Sequence, residues 1–202
     1  CLGGEEIASF VSMAVIVPTL IGAAIAVQLC KKYDKFKIFY FSYMFALILG
    51  IVRYIAGYEN MMVYVILNAL GGFPLGIAAI LQYQFTPDCY EYGQYKTGLK
   101  MRGVTFAAQT FFTKLNGAIA TAVSVFALTL IGFKEGEGVI QAAGFADKLW
   151  TFSCLGSIIG GIGTLLILRL YKLNDHDVQL MSKCNNGEIT REEAEAQMIN
   201  RY

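Results

Sequence analysis

The chain has 202 residues, of which 56% are hydrophobic and 15% charged, with a mean hydropathy of +0.53 and a net charge of +1. Soluble domains carry roughly 25% charged residues, so this chain lacks the charge needed to coat a water-facing surface. Buried helices of a single soluble domain are excluded on the same ground, because 202 residues cannot cover five long apolar segments on every side.

Ile7 to Cys30 runs for 24 residues without a charge, Met61 to Phe85 for 25 and Leu149 to Leu168 for 20. Ile38 to Tyr58 is interrupted only by Arg53, and Gly103 to Phe133 only by Lys114. A helix needs about 20 residues to cross a hydrocarbon core of about 30 Å, so each block is long enough to span. The spacing predicts helices over 7–30, 38–57, 61–86, 103–133 and 147–172, with a loop over 87–102 and another over 134–146. Residues 1–172 then form a transmembrane unit, and residues 173–202 a polar tail. In that tail TREE sets Thr190 three places before Glu193, a capping-box spacing that predicts a short helix. His176, in NDHD, reads as a solvated residue.

Charge placement orients the spans. Lys31, Lys32, Lys35 and Lys37 follow the first span, Lys96, Lys100 and Arg102 the third, and Arg169 and Lys172 the fifth. The other side receives Glu59 alone and a mixed connection of Lys134 and Lys148 against Glu135, Glu137 and Asp147. The positive-inside rule makes the lysine-rich side and the carboxy terminus cytoplasmic. The opening CLGGEE has neither an initiator methionine nor a basic region ahead of an apolar core, so a piece of a longer chain is expected. Cys1, Cys30, Cys89, Cys154 and Cys184 share no CxxC spacing and lie on mixed sides, which indicates neither zinc nor a disulfide framework. Cys30 and Cys154 read as small packing residues.

Pro18 and Pro74 fall inside spans, where neighbouring groups can re-satisfy the freed carbonyls. Either they loosen the helix for motion or they set a static kink. The last span carries GSIIGGIG, in which Gly156, Gly160, Gly161 and Gly163 predict close helix packing.

Two features carry chemistry. In QTFFTKLNGAIATAVSVF, Lys114 lies about 16 Å along a helix that begins at Gly103, too deep for its head to reach an interface. An intramembrane cation costs a few kcal/mol and normally faces a polar cavity with a partner. Gln109, Thr110, Thr113 and Asn116 add polar groups, and Thr110, Thr113 and Lys114 share a helix face. Two readings stand: a functional, cavity-facing lysine, or a helix whose ends lie elsewhere. The second feature is PDCYEYGQYKTGLKMRG, which alternates Asp88, Glu91, Lys96, Lys100 and Arg102 with Tyr90, Tyr92 and Tyr95. It is either a solvated turn or an ordered gate whose ion pairs form in one state and break in another.

PDCYEYGQYKTG, followed after ten residues by QTFFTKLNGA, resembles the glycoside–pentoside–hexuronide cation symporters, the melibiose-permease-like members of the major facilitator superfamily. KKYDKFKIF and LYKLND extend the resemblance along the whole chain. The fold it implies is an all-α integral membrane protein, here a partial major facilitator fold of five helices corresponding to helices 8–12 of twelve. It also implies that Lys114 lies near the sugar and near an acidic cation site in the amino-terminal half, with Gln109 and Thr110 beside the sugar pocket; Thr113, on the Lys114 face, joins them as a candidate substrate or coupling residue. Asp88, Glu91, Tyr92, Lys96, Lys100 and Arg102 would belong to a cytoplasmic gate. Gln94 and Arg102 stand where acidic residues are usual, which implies rearranged ion pairs. Ala79 stands where a melibiose-binding member has tryptophan, which implies a different sugar.

The expected function is the carboxy-terminal portion of a sodium- or proton-coupled sugar symporter in the bacterial inner membrane, working by alternating access. No cofactor or metal is expected in this chain, since the coupling cation would bind mainly in the absent half. The expected partners are a sugar or glycoside, the bilayer and seven preceding helices, with no nucleic acid. The alternative is a family member acting as a sensor or accessory subunit. No HExxH, phosphate loop, Ser/His arrangement or paired intramembrane carboxylates indicate an enzyme.

Overall fold

The computed structural model describes residues 5–134, 136 and 141–200. Cys1, Glu135 and Glu137 lie outside the described residues. The described chain is helical: α1 (Glu5–Leu29), α2 (Lys35–Ala56), α3 (Met61–Thr97), α4 (Arg102–Ile131), α5 (Phe145–Leu168), α6 (Asp175–Asn185) and α7 (Arg191–Gln197). The first five are long and apolar enough to cross a membrane, and together they make a multi-pass membrane protein.

The main correction concerns residues 87–102, expected as a loop. Helix α3 continues through Pro87 to Thr97, 37 residues in all, or about 55 Å. About 30 Å of that suffices to cross hydrocarbon, so the last turns project beyond it. Proline removes one backbone donor without ending this helix. The stop comes from Gly98, which takes a left-handed φ of 70° or so open to glycine (φ 71°) and returns its N–H to the Gln94 carbonyl at 2.7 Å.

Helix α1 packs most extensively on α3, and α2 contacts both α3 and α5. Glycine makes the first crossing possible. A Cβ on Gly76 would lie 1.9 Å from the Thr19 carbonyl oxygen, one on Gly22 2.3 Å from that of Phe73, and one on Gly72 2.7 Å from that of Val15. The backbones therefore touch, as small residues four apart allow in lipid. The glycines predicted to pack, in α5, behave differently. Only Gly161 is closely approached, by Leu47 Cδ1 at 2.8 Å, while Gly156, Gly160 and Gly163 face open space.

The core lies at the lysine-rich end. Ile38, Phe39 and Leu81 are buried there against Leu29, Cys30, Phe85 and Leu168. Phe85 meets the rings of Phe39 and Tyr171 edge-on at 5.1 and 5.3 Å. Helix α4, in contrast, touches α3 and α5 only lightly, and Ala127 is its one buried residue among those described.

The tail folds back onto this end. Helix α6 packs on α3, and α7 packs on α6. Thr190 and Glu193 form a reciprocal capping box at the start of α7. Asp177 is wholly buried and accepts hydrogen bonds from the backbone N–H groups of Ile199 (2.8 Å) and Asn200 (3.0 Å) and from Asn174 Nδ2 (2.7 Å). Burial opposes its charge, but these donors outweigh burial and hold the carboxyl below the usual carboxylate range. His176 is half exposed, with Nδ1 3.2 Å from the same carboxylate.

Candidate functional site

Two regions hold the residues picked out by sequence, and the structure treats them differently. At the lysine-rich end, the extension of α3 turns a polar stripe toward α2 and the tail. Asp88, Glu91 and Tyr95 recur at three- and four-residue steps, so they share one face of the helix. Asp88 is buried, and Lys35 Nζ donates to its Oδ1 at 2.7 Å. The same ammonium lies 3.3 Å from Asp175 Oδ1. One cation thus sits between carboxylates from α3 and α6.

The backbone reinforces the arrangement. The Lys35 N–H donates to Asp175 Oδ2 at 2.8 Å, and the Asp175 N–H donates to Asp34 Oδ2 at 2.9 Å. Each helix start is capped by the other's aspartate, satisfying donors that a first turn leaves free. Glu91 accepts from Asn185 Nδ2 through Oε2 at 2.8 Å and through its carbonyl at 3.0 Å. Tyr95 donates its hydroxyl to Glu195 Oε1 at 3.0 Å, beneath the Arg191 guanidinium 4.8 Å from its ring centre. Gln94, standing where an acid is usual, accepts from the Tyr90 hydroxyl at 2.5 Å. The Tyr171 hydroxyl is buried with no hydrogen bond among the described residues, and burial, followed by the Asp88 carboxylate, drives its phenol far above the usual range.

Of the six residues read as a gate, Asp88 and Glu91 are therefore tied to α2 and α6, and Tyr92 is half-buried on the same helix. Lys96, Lys100 and Arg102 are exposed and make no ion pair among the described residues, while Arg102 lies over the Phe106 ring at 5.8 Å. Sequence reasoning missed Asp34, Asp175 and Asn185 and read Lys35 only as a marker of topology. The three- and four-residue stripe on α3 was the signal that could have located the face they meet.

Lys35 is the hub, so its removal should cost more than removal of either acid. Lys35→Gln would leave Asp88 buried and uncompensated beside Asp175 and Asp34, and breaking a buried pair this way costs about 3–5 kcal/mol. Cys30 reports the outcome, because it packs against the Ile38, Phe39 and Leu81 cluster. Burial and then the Asp175 carboxylate push its thiol up. Loss of Lys35 removes a charge that lowers that pKa, which alone would slow alkylation. Faster alkylation of Cys30 in Lys35→Gln than in Asp88→Asn, with the double variant recovering most of the protection, is the expected result in the intact protein. Equal rates in all four proteins would deny Lys35 this role.

The second region is on α4. Gln109 is half-buried, whereas Thr110, Thr113, Lys114 and Asn116 are exposed. Thr110 donates its hydroxyl to the Phe106 carbonyl at 3.0 Å and Thr113 to the Gln109 carbonyl at 2.9 Å. Lys114 makes no ion pair among the described residues. The structure thus brings these side chains to one uncovered polar strip without closing a pocket around them.

Comparison with known proteins agrees with this architecture. The model of a family described as MFS/sugar transport protein matches residues 2–175. A provisionally named sulfoquinovose importer of Escherichia coli (strain K12) is 25% identical over 195 residues, covering 93% of this chain and 40% of that protein. From the same organism, a provisionally named glycoside/cation symporter, YagG, is 22% identical, covering 82% and 36%. The inner membrane symporter YicJ is 21% identical, covering 88% and 39%. The chain spans about 40% of the length of these relatives. No solved structure matches it. A multi-pass helical chain with these motifs, matched across all five of its spanning helices, belongs to the MFS/sugar transport protein family, in the glycoside–pentoside–hexuronide group of the major facilitator superfamily.

Proposed function

We propose that this chain is the carboxy-terminal portion, helices 8–12 of twelve, of a cation-coupled symporter for a sugar or glycoside. The observation that carries the reading is the polar strip of α4, held open to a missing partner by a helix that barely touches its own neighbours. Seven preceding helices would cover that strip and supply the acidic groups that Lys114 lacks here. The lysine-rich end would face the cytoplasm by the distribution of basic residues.

In this reading the two halves rock about a midplane site. Gln109, Thr110 and Thr113 offer amide and hydroxyl groups to the sugar, and Lys114 lies between the sugar and a sodium or proton site in the other half. The Asp88–Lys35–Asp175 cluster holds α2, α3 and α6 together on the cytoplasmic side. Exposed Lys96, Lys100 and Arg102 provide cations to meet acidic groups of the other half when that side closes.

The test uses the intact protein reconstituted in vesicles, with labelled glycosides, pentosides and hexuronates offered with and without a sodium or proton gradient. Gradient-driven accumulation of at least one sugar is expected, and failure to accumulate any would reject the carrier reading.

A further inference from the structure

At the end opposite the lysine-rich one, α2, α3 and α5 meet around a small cavity of about 210 Å³. Its lining includes Arg53 from the last turn of α2, Tyr64 from the first turns of α3, and Trp150 and Ser153 from α5. Arg53 donates one NH1 bond to Asn68 Oδ1 at 3.2 Å, and its guanidinium stands 5.9 Å from the Trp150 ring centre. Tyr58 and Tyr64 pack their rings on Trp150 at 5.5 and 5.8 Å. Two donors in this nest are buried without any hydrogen bond among the described residues: Arg53 Nε and Trp150 Nε1.

Leaving buried donors unmade is costly, about 1–3 kcal/mol each. The two belong to side chains from different helices that line the same cavity. Both need an acceptor, and a guanidinium edge prefers an anionic oxygen pair such as that of a phosphate. The rim has the opposite charge. Asp147 is exposed and accepts from the Tyr58 hydroxyl through Oδ1, its Oδ2 makes no hydrogen bond among the described residues, and Glu59 is exposed beside Tyr58. Cation-accepting groups thus stand outside an anion-accepting pocket.

The surroundings say how such a ligand arrives. Arginine with tryptophan and tyrosine at the ends of apolar spans marks the headgroup level of a bilayer. Ile55, 79% exposed, and Phe152, 44% exposed, offer apolar surface on the two helices that carry Arg53 and Trp150. We propose that this cavity binds the headgroup of a zwitterionic aminophospholipid from the leaflet at this end. Its phosphate accepts from Arg53 Nε and Trp150 Nε1 as these side chains turn their donors into the cavity, its ammonium donates to Asp147, and its acyl chains lie along α2 and α5. The proposal needs only the bilayer and is independent of which solute the protein carries.

The test is native mass spectrometry of the intact protein released from bilayers containing equal phosphatidylethanolamine, phosphatidylcholine and phosphatidylglycerol. Retained phosphatidylethanolamine is expected to exceed phosphatidylcholine, whose trimethylated nitrogen cannot donate to Asp147. Arg53→Gln should lower retention about tenfold, the equivalent of one charge-assisted hydrogen bond. Asp147→Asn, a change at an exposed rim, should erase the preference over phosphatidylcholine while leaving melting unchanged, so the test survives if Arg53→Gln does not fold. Soluble glycerophosphoethanolamine in excess should not displace the lipid. Equal retention of all three lipids by the wild type, an unchanged preference in Asp147→Asn, or displacement by the soluble headgroup would each overturn the assignment.

Discussion

Gly76→Ala is expected to separate α1 from α3 and to leave little folded protein. Helix propensity alone predicts the reverse, since alanine is favoured over glycine inside a helix by about 1 kcal/mol. Contact decides the sign. The new methyl would lie 1.9 Å from the Thr19 carbonyl oxygen, 2.8 Å from its carbon and 2.9 Å from the Ala23 nitrogen, all backbone atoms that no rotamer change can move. To reach ordinary van der Waals distance the helices must part by roughly 1.5 Å. That opens the most extensive helix pair in the chain, and overpacking of this kind costs about 3 kcal/mol or more. Gly71→Ala is the matched control, because it adds the same methyl to the same helix with nothing within 4 Å. Thermal unfolding of the intact protein in detergent should show Gly76→Ala melting well below wild type and Gly71→Ala at or slightly above it. If the two variants melt together, close backbone approach is not what joins α1 to α3.

The contrast between Gly76 and the α5 glycines shows what was legible in the sequence. Five apolar blocks could be counted because a bilayer imposes length on each one, and the structure has a helix at each. Which glycines touch another helix cannot be counted this way, because spacing of small residues permits approach without requiring it. GGFPLG holds Gly72 and Gly76 four apart, yet its proline drew the reading toward a break. GSIIGGIG has the denser pattern and mostly faces open space. Residues 87–97 were misread for a related reason. Proline, glycine and mixed charge are loop signals when water solvates them, but here Asp88, Glu91 and Tyr95 find partners on α2, α6 and α7, which keep the segment helical. Those partners lie 53 to 100 residues away in sequence, beyond any local pattern. The α4 strip was legible as residues and not as a site, since no described element covers it.

Lys114→Ala should abolish gradient-driven accumulation by the intact protein while leaving its amount in the membrane at or above wild type. The two halves of that statement come from different physics. A lysine near the centre of a span costs about 2.5–3.5 kcal/mol on insertion scales, so alanine makes α4 easier to insert. Nothing in the described structure depends on the ammonium: it makes no ion pair, and Thr110 and Thr113 satisfy their hydroxyls on the helix's own carbonyls. A purely structural lysine at this position would therefore give a variant that folds as well and transports as well. If instead the ammonium faces acids of the other half, its removal leaves those acids without their cation, a loss of about 2–5 kcal/mol for a desolvated charge pair. The acids would then hold a proton or sodium regardless of sugar, and the coupling between the two ligands would disappear. Lys114→Arg keeps the charge but replaces a compact ammonium with a planar fork, so it should retain cation-dependent uptake at reduced rate. Full accumulation by Lys114→Ala, with an unaltered dependence on the driving cation, would mean that the lysine faces lipid rather than the transport path.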